Sequence, residues 1–248
     1  MRTAVVTGGS RGIGFSVSRQ LVQAGVNVVI TGRDIASLEA ARREIGAAGQ
    51  VRVLSFDAAD PDAVGRALHP LDVDILVANV GTGFSASVHD TTLEEWNRVL
   101  STNVTSAFLS VGAVLDGMLE RGWGRIVTIG SMASHVPLRY AAAYVASKHA
   151  LLGLTRALAE DTRGRGVTVN MVAPAFVRTD MTERNISTIT SKSGLTADAA
   201  EAKLAELSSL KRLLEPDEVA AEVLRLALDD SGETTGESVP MGFVVPSV

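Results

Sequence analysis

The stretch that decides the fold runs from Thr3 to Val22 and reads TAVVTGGSRGIGFSVSRQLV. It begins with a β-branched run, Thr3–Thr7, which is typical of a buried strand. A glycine-rich turn follows, and apolar residues then recur at helical spacing from Ile13 to Val22. A strand, a glycine-rich turn and a helix in this order predict the first βα unit of a dinucleotide-binding α/β fold.

Three glycines of the turn have distinct roles in this interpretation. Gly8 permits the tight turn, Gly12 lets the backbone approach a pyrophosphate, and Gly14 lets the helix pack closely on the strand. The helix N-terminus offers unpaired N–H groups and the positive end of its dipole to phosphates. Because the spacing differs from the common G-x-G-x-x-G fingerprint, the prediction depends on the strand–turn–helix context. The alternative is a glycine turn that binds nothing.

The end of the second predicted strand, Val26–Thr31, bears on which dinucleotide binds. A carboxylate at this point selects the 2′-hydroxyl of NAD, and an arginine accommodates the 2′-phosphate of NADP. Arg33 leaves the strand before Asp34 does, and Arg11 of the glycine turn would add a second positive charge. This order favours NADP(H). Alternatively, Arg33 is a solvated loop residue and Asp34 caps the helix that follows.

The rest of the chain repeats strand and helix signals, which predicts a parallel, doubly wound sheet with helices on both faces. We expect one domain over residues 1–248, because no linker, repeat or low-complexity tract interrupts the chain. The more polar stretch at about 180–210 is where a lid or substrate wall would lie. The further strands are predicted at Val51–Phe56, Val73–Ala78, Arg125–Gly130, Val167–Val172 and Glu237–Val239.

Polar residues follow several of these strands. Asn79 comes after the fourth and Ser131 after the fifth, so both fall with the glycine turn at the carboxyl edge of the sheet, where ligands bind. Asp57 follows the third strand and either meets an adenine amino group or stabilises a turn. Asn103 interrupts a long helical pattern; it either positions a water on a proton route or satisfies a helix kink.

Tyr144 and Lys148 are four residues apart, so they share one face of a predicted helix. A free phenol has a pKa near 10, and a nearby ammonium would lower it. The pair therefore indicates a proton donor with a neighbour that adjusts its pKa. Taken alone, such a pair is more often ordinary helix surface.

The composition narrows the possible classes of protein. A net charge of −5 argues against a nucleic-acid surface, and the absence of cysteine excludes disulfides and thiolate catalysis. No histidine or carboxylate spacing indicates a metal site. Because the chain has no signal peptide and no run of 18 apolar residues, we expect a soluble cytoplasmic protein that binds no membrane. The apolar residues Phe243–Pro246 are expected at a subunit contact.

The glycine turn, Asn79-Val80-Gly81, Asn103, Ser131 and the Tyr144/Lys148 pair together resemble the short-chain dehydrogenase/reductase family, over essentially the whole chain. The resemblance implies a seven-stranded Rossmann sheet in the order 3-2-1-4-5-6-7 and a homo-oligomer, a tetramer or a dimer. It implies cofactor contacts from these residues: Gly8, Ser10, Arg11, Gly12, Ile13, Gly14, Arg33, Asp57, Ala58, Asn79, Gly81, Tyr144, Lys148, Pro174, Val177 and Thr179.

The same resemblance implies the catalytic roles. Tyr144 would be the general acid in reduction and the base in oxidation, and Ser131 would hydrogen-bond the substrate oxygen. Lys148 would hold the nicotinamide ribose and lower the pKa of Tyr144, while Asn103 would position a relay water. Thr179 would meet the carboxamide.

Three functions remain open from the sequence. The first is an NADP(H)-dependent ketoreductase acting on a β-ketoacyl or polyketide-like carbonyl, which the resemblance favours. The second is an alcohol dehydrogenase that oxidises a hydroxylated metabolite. The third is a nucleotide sensor of the same fold without catalysis, which would have no use for a proton relay.

Overall fold

Thr3–Thr7 is an inner strand of a parallel sheet in the computed structural model, which describes residues 1–46 and 49–245. The sheet has seven strands in the order β3-β2-β1-β4-β5-β6-β7, and every pairing is parallel. This confirms the expected fold. The strands are β1 (Thr3–Thr7), β2 (Asn27–Gly32), β3 (Val51–Ser55), β4 (Ile75–Ala78), β5 (Gly124–Ile129), β6 (Val167–Pro174) and β7 (Ser238–Met241).

The helices cover both faces of the sheet. Two large apolar clusters are formed, one packed beneath α1, α2 and α9 and the other beneath α3, α5 and the end of α6. The helices are α1 (Gly12–Gln23), α2 (Ile35–Ile45), α3 (Pro61–Leu68), α4 (Leu93–Leu100), α5 (Ser106–Arg121), α6 (Ala142–Asp161), α7 (Asp180–Ser193), α8 (Ala197–Glu206) and α9 (Pro216–Ala227).

Strand β6 differs from its predicted bounds. It continues to Pro174 instead of ending at Val172, because Ala173 and Pro174 pair with Pro240 and Met241 of β7. The prediction stopped short because proline lacks an N–H donor and is a strand-end signal. The extension carries the chain directly to the ligand edge of the sheet.

The order of the strands reverses between β1 and β4. The chain adds β2 and β3 on one side of β1 and then returns to place β4 on the other. At such a point the loops from the carboxyl ends diverge and leave a crevice, which is where open α/β sheets bind ligands. The glycine turn after β1 and Asn79 after β4 therefore lie side by side.

A single helical stretch, Leu93–Arg121, joins α4 to α5 through a π-helical turn at Ser101–Thr105. Its length and composition would allow it to cross a membrane, although the core helix of a globular protein passes the same test. In this fold Val99, Val111 and Met118 of the stretch are buried. Composition alone therefore does not decide whether this stretch spans a membrane. The expectation that nothing spans a membrane stays a prediction.

The end of the chain packs beside the carboxyl edge. Phe243 contacts a buried cluster, and its ring lies 5.8 Å from that of His135. Val244 is 78% exposed. The expected subunit contact at Phe243–Pro246 stays a prediction, and Pro246 lies outside the described residues.

Candidate active site

The glycine turn has the shape that a pyrophosphate requires. Gly8 and Gly12 have φ of +67° and +52°, values that suit glycine. A Cβ at Gly14 would lie 2.3 Å from the carbonyl oxygen of Gly8, so only glycine allows α1 to start this close to β1. Within the described residues, no side chain caps the N-terminus of α1. Its first N–H groups are thus free for an anion, and the turn fits a dinucleotide.

Asn79 fixes the turn from the neighbouring strand. Its side-chain amide donates to the carbonyl oxygens of Thr7 and Gly8, at 2.9 and 3.1 Å. Its backbone N–H donates to the hydroxyl of Thr7 at 3.0 Å. These bonds tie the end of β4 to the end of β1. Asn79 therefore supports the wall of the crevice.

The adenosine end of the crevice carries the charges that the sequence suggested. Asp34 caps α2, because its carboxylate accepts from the N–H of Ala36 at 3.0 Å and from the hydroxyl of Ser37 at 2.7 Å. Those bonds, the Ser37 hydroxyl first, lower the pKa of Asp34. Arg33 is exposed beside it. The capping alternative for Asp34 is thus what the structure contains.

Two other residues expected at the cofactor have protein partners. Arg11 forms an ion pair with Asp180, with 3.1 Å between its Nη1 and a carboxylate oxygen. Asp57 accepts from the N–H of Ala59 at 2.9 Å, which is the turn interaction foreseen as its alternative. Ala58 is buried. Contacts from Asp57 and Ala58 to a cofactor stay predictions.

Ser131 and Tyr144 come together at the carboxyl end of β5. Ser131 follows the strand and begins a short 3₁₀ turn, Met132–Ser134, by accepting from the N–H of Ala133 at 3.1 Å. Tyr144 lies on the first turn of α6, and its phenol is near enough to Ser131 for the serine hydroxyl to favour the phenolate and lower the pKa of Tyr144. Two hydroxyls thus converge on one point, where a substrate oxygen can lie.

Lys148 lies one helical turn after Tyr144 and is 5% exposed. Its Nζ donates to the carbonyl oxygen of Ile129 at 2.8 Å and lies 5.9 Å from the centre of the Tyr144 ring. Burial lowers the pKa of Lys148 to about 8.

The expected lowering of the Tyr144 pKa by Lys148 is wrong for the protein without cofactor. Burial raises the pKa of Tyr144, and the hydrogen bond with Ser131 opposes this rise. The physical reason is desolvation, which penalises both the phenolate and the ammonium, so it raises the pKa of Tyr144 and lowers that of Lys148. Tyr144 is therefore a protonated phenol, suited to donate a proton.

Asn103 is fully buried in the π-helical turn. Its Oδ1 accepts from the N–H of Thr82 at 2.7 Å, and its amide donates to the Thr82 carbonyl at 3.0 Å. The amide also donates to the hydroxyl of Ser147 at 2.9 Å, and Ser147 donates to the carbonyl of Tyr144 at 2.7 Å. Asn103 thus links the loop after β4 to the helix that carries Tyr144. Its role toward a water stays a prediction.

Residues 2–190 match the short chain dehydrogenase family. The chain belongs to the short-chain dehydrogenase family. It is 34% identical over 243 residues to 3-oxoacyl-acyl-carrier-protein reductase FabG of Escherichia coli (strain K12), covering 96% of this chain and 94% of the relative. It is 30% identical over 261 residues to D-beta-hydroxybutyrate dehydrogenase of Rhizobium meliloti (strain 1021), covering 97% and 96%.

A solved relative has the same fold throughout. A variant of actinorhodin polyketide ketoreductase, crystallised with NADPH, superposes with a TM-score of 0.92 at 29% identity, covering 97% of this chain and 96% of that one. The protein is thus an oxidoreductase of the short-chain dehydrogenase family. The expected family, fold and enzyme class are confirmed.

The root of the 180–210 excursion closes over the crevice of this short-chain dehydrogenase. Thr179 lies against the glycine turn, since a Cβ at Gly12 would be 3.2 Å from its methyl group. A Cβ at Gly83 would be 3.5 Å from the sulfur of Met181. Arg178 pairs with Glu201 of α8 at 2.8 Å. The first turn of α7 therefore spans the crevice, and an ion pair fixes α8 behind it.

The other residues that were predicted to contact the cofactor differ in their burial and in their distance from the catalytic groups. Gly81 lies by the catalytic groups, because a Cβ there would be 3.7 Å from the Nζ of Lys148. Ser10 is half-buried in the glycine turn, and Ile13 packs partly on the core. The side chain of Val177 is buried in the core, so only its backbone could meet a cofactor. Pro174 ends β6.

Sequence reasoning missed three residues that shape the site. Asp180 holds Arg11, and Ser147 joins Asn103 to the Tyr144 helix. Thr82 donates its N–H to Oδ1 of Asn103 and accepts from the Asn103 amide at its carbonyl oxygen. Ser147 could have been found, since it lies inside the Tyr144–Lys148 turn. Asp180 and Thr82 give no local signal, because their partners are far away in sequence.

Proposed function

We propose that the protein reduces a ketone to a secondary alcohol with NADPH. The observation that carries the proposal is the convergence of the Ser131 and Tyr144 hydroxyls, with Lys148 behind them, at the edge where the glycine turn offers its N–H groups. A carbonyl oxygen placed between the two hydroxyls meets two donors. That arrangement stabilises the negative charge that develops on the oxygen during reduction.

Each side chain has a defined task in this reaction. Ser131 and Tyr144 hold and polarise the carbonyl, and Tyr144 donates its proton to the oxygen as the alkoxide forms. NADPH supplies the hydride when bound. Lys148 is held by the Ile129 carbonyl, from where its ammonium can reach a ribose hydroxyl and stabilise the phenolate left after transfer. Asn103 keeps the Thr82 loop and the Tyr144 helix in register, and we assign it the relay water as well.

The protonation state of Tyr144 matches the form that reduction uses. Reduction needs the phenol protonated, whereas oxidation needs the phenolate. Because burial raises the pKa of Tyr144, the phenol holds its proton at neutral pH. The phenol is thus ready to donate a proton to the carbonyl oxygen.

The choice of NADP(H) is supported by the charges near the ribose. Asp34 is committed to capping α2, and Arg33 is exposed where the 2′-phosphate would lie. The related actinorhodin ketoreductase was crystallised with NADPH. Gly8, Ser10, Gly12, Ile13 and Gly14 would hold the pyrophosphate, and Thr179 the carboxamide.

The substrate class comes from the relatives. FabG is named for 3-oxoacyl groups on a carrier protein, and the structural relative is a polyketide ketoreductase. A β-ketoacyl or polyketide-like carbonyl is therefore the proposed substrate. A second candidate, oxidation of a hydroxy acid, is favoured by the relative named D-beta-hydroxybutyrate dehydrogenase.

We also propose that the chain acts as one domain, residues 1–248, with α7 and α8 as its lid. Phe108 on α5 is 58% exposed and Leu93 on α4 is 73% exposed, which supports contacts from these two helices in a homo-oligomer, a tetramer or a dimer. We place the protein in the cytoplasm, acting on a small carbonyl compound without nucleic acid or membrane. Light scattering of the purified protein measures the oligomeric state.

The proposed reaction is tested by NADPH consumption with a panel of β-ketoesters. Tyr144→Phe should lower kcat by at least about a hundredfold, since general acid catalysis contributes 10²–10⁴-fold. NADPH binding, followed by fluorescence, should persist in the variant and serves as the control for folding. Equal turnover by the two proteins would remove Tyr144 from the mechanism, and NADPH binding without any turnover would favour the sensor.

A further inference from the structure

His135 joins the end of the turn that begins at Ser131 to the last strand of the sheet. Its Nε2 lies 2.8 Å from the Oγ of Ser238 in β7, and this hydrogen bond connects residues that are 103 apart in sequence. The histidine ring also lies 5.8 Å from the ring of Phe243. No step of the proposed reaction uses His135, so its contacts call for an explanation of their own.

The turn between Ser131 and His135 is closed by its own hydrogen bonds. The N–H of His135 donates to the carbonyl oxygen of Met132 at 3.0 Å. The N–H of Ser134 donates to the carbonyl oxygen of Ser131 at 2.8 Å, and the N–H of Ser131 donates to the hydroxyl of Ser134 at 3.2 Å. Ser134 is 1% exposed, so the turn is packed as well as bonded. A displacement of His135 is therefore passed back to Ser131.

The same turn sets the direction of the Ser131 hydroxyl. Its Oγ accepts from the N–H of Ala133 at 3.1 Å, so the turn orients the oxygen and the hydroxyl proton remains to be donated. The start of the turn lies directly on β6, because a Cβ at Gly130 would overlap the sulfur of Met171. Strand β6 thus fixes the start of the turn, and β7 fixes its end through His135.

The surroundings of His135 define what it can supply. Burial lowers the pKa of His135, and Arg156 and His149 on α6 lower it further. The imidazole is therefore neutral at pH 7. It holds Ser238 by a hydrogen bond and brings no charge to the catalytic groups.

We propose that His135 is a positioning residue, which holds the Ser131 hydroxyl in place for the substrate oxygen through its bond to Ser238. This inference rests on the proposed function, which assigns the substrate carbonyl to Ser131 and Tyr144. A catalytic group that is displaced by about 1 Å can lose up to about a hundredfold in rate. The last strand of the sheet thereby acts on the reaction through His135 and the turn.

Substitutions at both ends of the bond test the inference, with NADPH consumption as the assay and ethyl 3-oxobutanoate as the substrate. His135→Leu has a side chain of similar size without the bond, and Ser238→Ala removes the bond from the other side. Each should lower kcat roughly tenfold and leave the dissociation constant of NADPH unchanged, because only the serine hydroxyl is misplaced. His135→Gln retains a polar group toward Ser238 and should restore most of kcat. His149→Gln, at an exposed histidine of α6, is the matched control and should equal wild type.

A double substitution separates positioning from a purely structural role. If His135 acts through Ser131, His135→Leu should lower kcat no further in a Ser131→Ala protein, since residues that act as one unit are not additive. An equal fold-loss of kcat in the wild-type and Ser131→Ala backgrounds overturns the inference. A lower Tm of His135→Leu with wild-type kcat overturns it as well. Should His135→Leu not fold, Ser238→Ala gives the same comparison.

The outcomes also separate the inference from the function on which it rests. If the wild type reduces the ester and both His135→Leu and Ser238→Ala do so equally well, the inference alone fails. If the wild type reduces none of the β-ketoesters, or Ser131→Ala is as active as wild type, the proposed function fails and the inference fails with it. NADPH binding by each variant checks that it is folded.

Discussion

The side-chain amine of Lys148 is buried in a site with little water. The unfolded chain keeps its proton up to a pKa of 10.5, whereas the folded chain releases it near pH 8. Between these values the unfolded state binds more protons, so the free energy of unfolding rises with pH. At about 1.4 kcal/mol per pKa unit, the full rise is on the order of 3 kcal/mol. Below pH 8 the buried charge is therefore a stability cost that function explains.

Lys148→Met should accordingly stabilise the protein without cofactor at pH 7, by up to about 3 kcal/mol less the lost bond to the Ile129 carbonyl. The difference from wild type should narrow as the pH rises from 8 to 10. Urea unfolding at pH 7, 8.5 and 10 measures both effects. Lys203→Met, at an exposed position, is the matched control. A constant difference at all three pH values would contradict the low pKa of Lys148.

Removing Arg33 and freeing Arg11 should change the affinity for NADPH in opposite directions. Arg33→Ala should weaken NADPH binding about 10-fold or more with little effect on NADH, since a bond to a charged group contributes about 1.5–3 kcal/mol. Asp180→Asn releases Arg11 from its ion pair, so the guanidinium becomes available to the 2′-phosphate and NADPH binding should tighten. The gain should be only a few-fold, because an exposed ion pair is weak. Titration calorimetry with both dinucleotides measures these constants. An unchanged preference in Arg33→Ala would refute the phosphate assignment.

The residues of the site differ in how far sequence could predict them. The spacing of Tyr144 and Lys148 places them on one helix face, and the structure has them there. The sign of the Tyr144 pKa shift could not be foreseen, because it depends on burial by distant segments. The partner of Arg11 was also hidden, since Asp180 is 169 residues away and the pair forms only when α7 crosses the crevice.

At the scale of elements, the sequence predicts an interruption between α4 and α5, where the structure has a π-helical turn. It does not reveal the cause of that interruption. A polar Asn103 among apolar residues marked the interruption. The structure supplies the reason: the wider turn brings the amide against both backbone groups of Thr82 and the hydroxyl of Ser147. These partners come from a loop and another helix, so no local pattern reveals them. Pro174 in β6 is similar, since only pairing with β7 extends that strand.

Asn103→Ala should lower the free energy of unfolding by about 3 kcal/mol, because it leaves buried groups of Thr82 and Ser147 without their bonds. It should also reduce kcat, since the Thr82 loop and the Tyr144 helix lose their link. Urea unfolding and NADPH consumption measure the two effects. Asn97→Ala, on the exposed face of α4, should change stability by less than about 0.5 kcal/mol. Equal loss in the two variants would contradict the linking role.

At the scale of the whole molecule, the two edges of the sheet have different roles. The carboxyl edge forms the functional site, and the amino edge stabilises the fold. The carboxyl edge carries the glycine turn, the converging hydroxyls and the lid. The amino edge is closed by Arg125, which is 2% exposed and donates to the carbonyl oxygens of Asp229 at 2.7 Å and Gly166 at 3.0 Å. The Trp123 ring is contacted by two guanidiniums, Arg2 at 4.1 Å and Arg125 at 4.4 Å from its centre. Segments from both ends of the chain meet there.

Arg125→Met should therefore destabilise the fold without changing the site. The variant loses the bonds to three carbonyl groups, those of Asp229, Gly166 and Gly124, and one cation over Trp123. Together these losses should cost about 2–3 kcal/mol. For a chain of this size that lowers Tm by roughly 5–10 °C. Arg163→Met removes an exposed arginine paired with Glu160 and should shift Tm by less than about 2 °C. Scanning calorimetry measures Tm, and NADPH affinity at 20 °C should equal that of wild type because the cofactor edge lies at the opposite end of the strands. Weakened NADPH binding in folded Arg125→Met would show that the two edges are coupled.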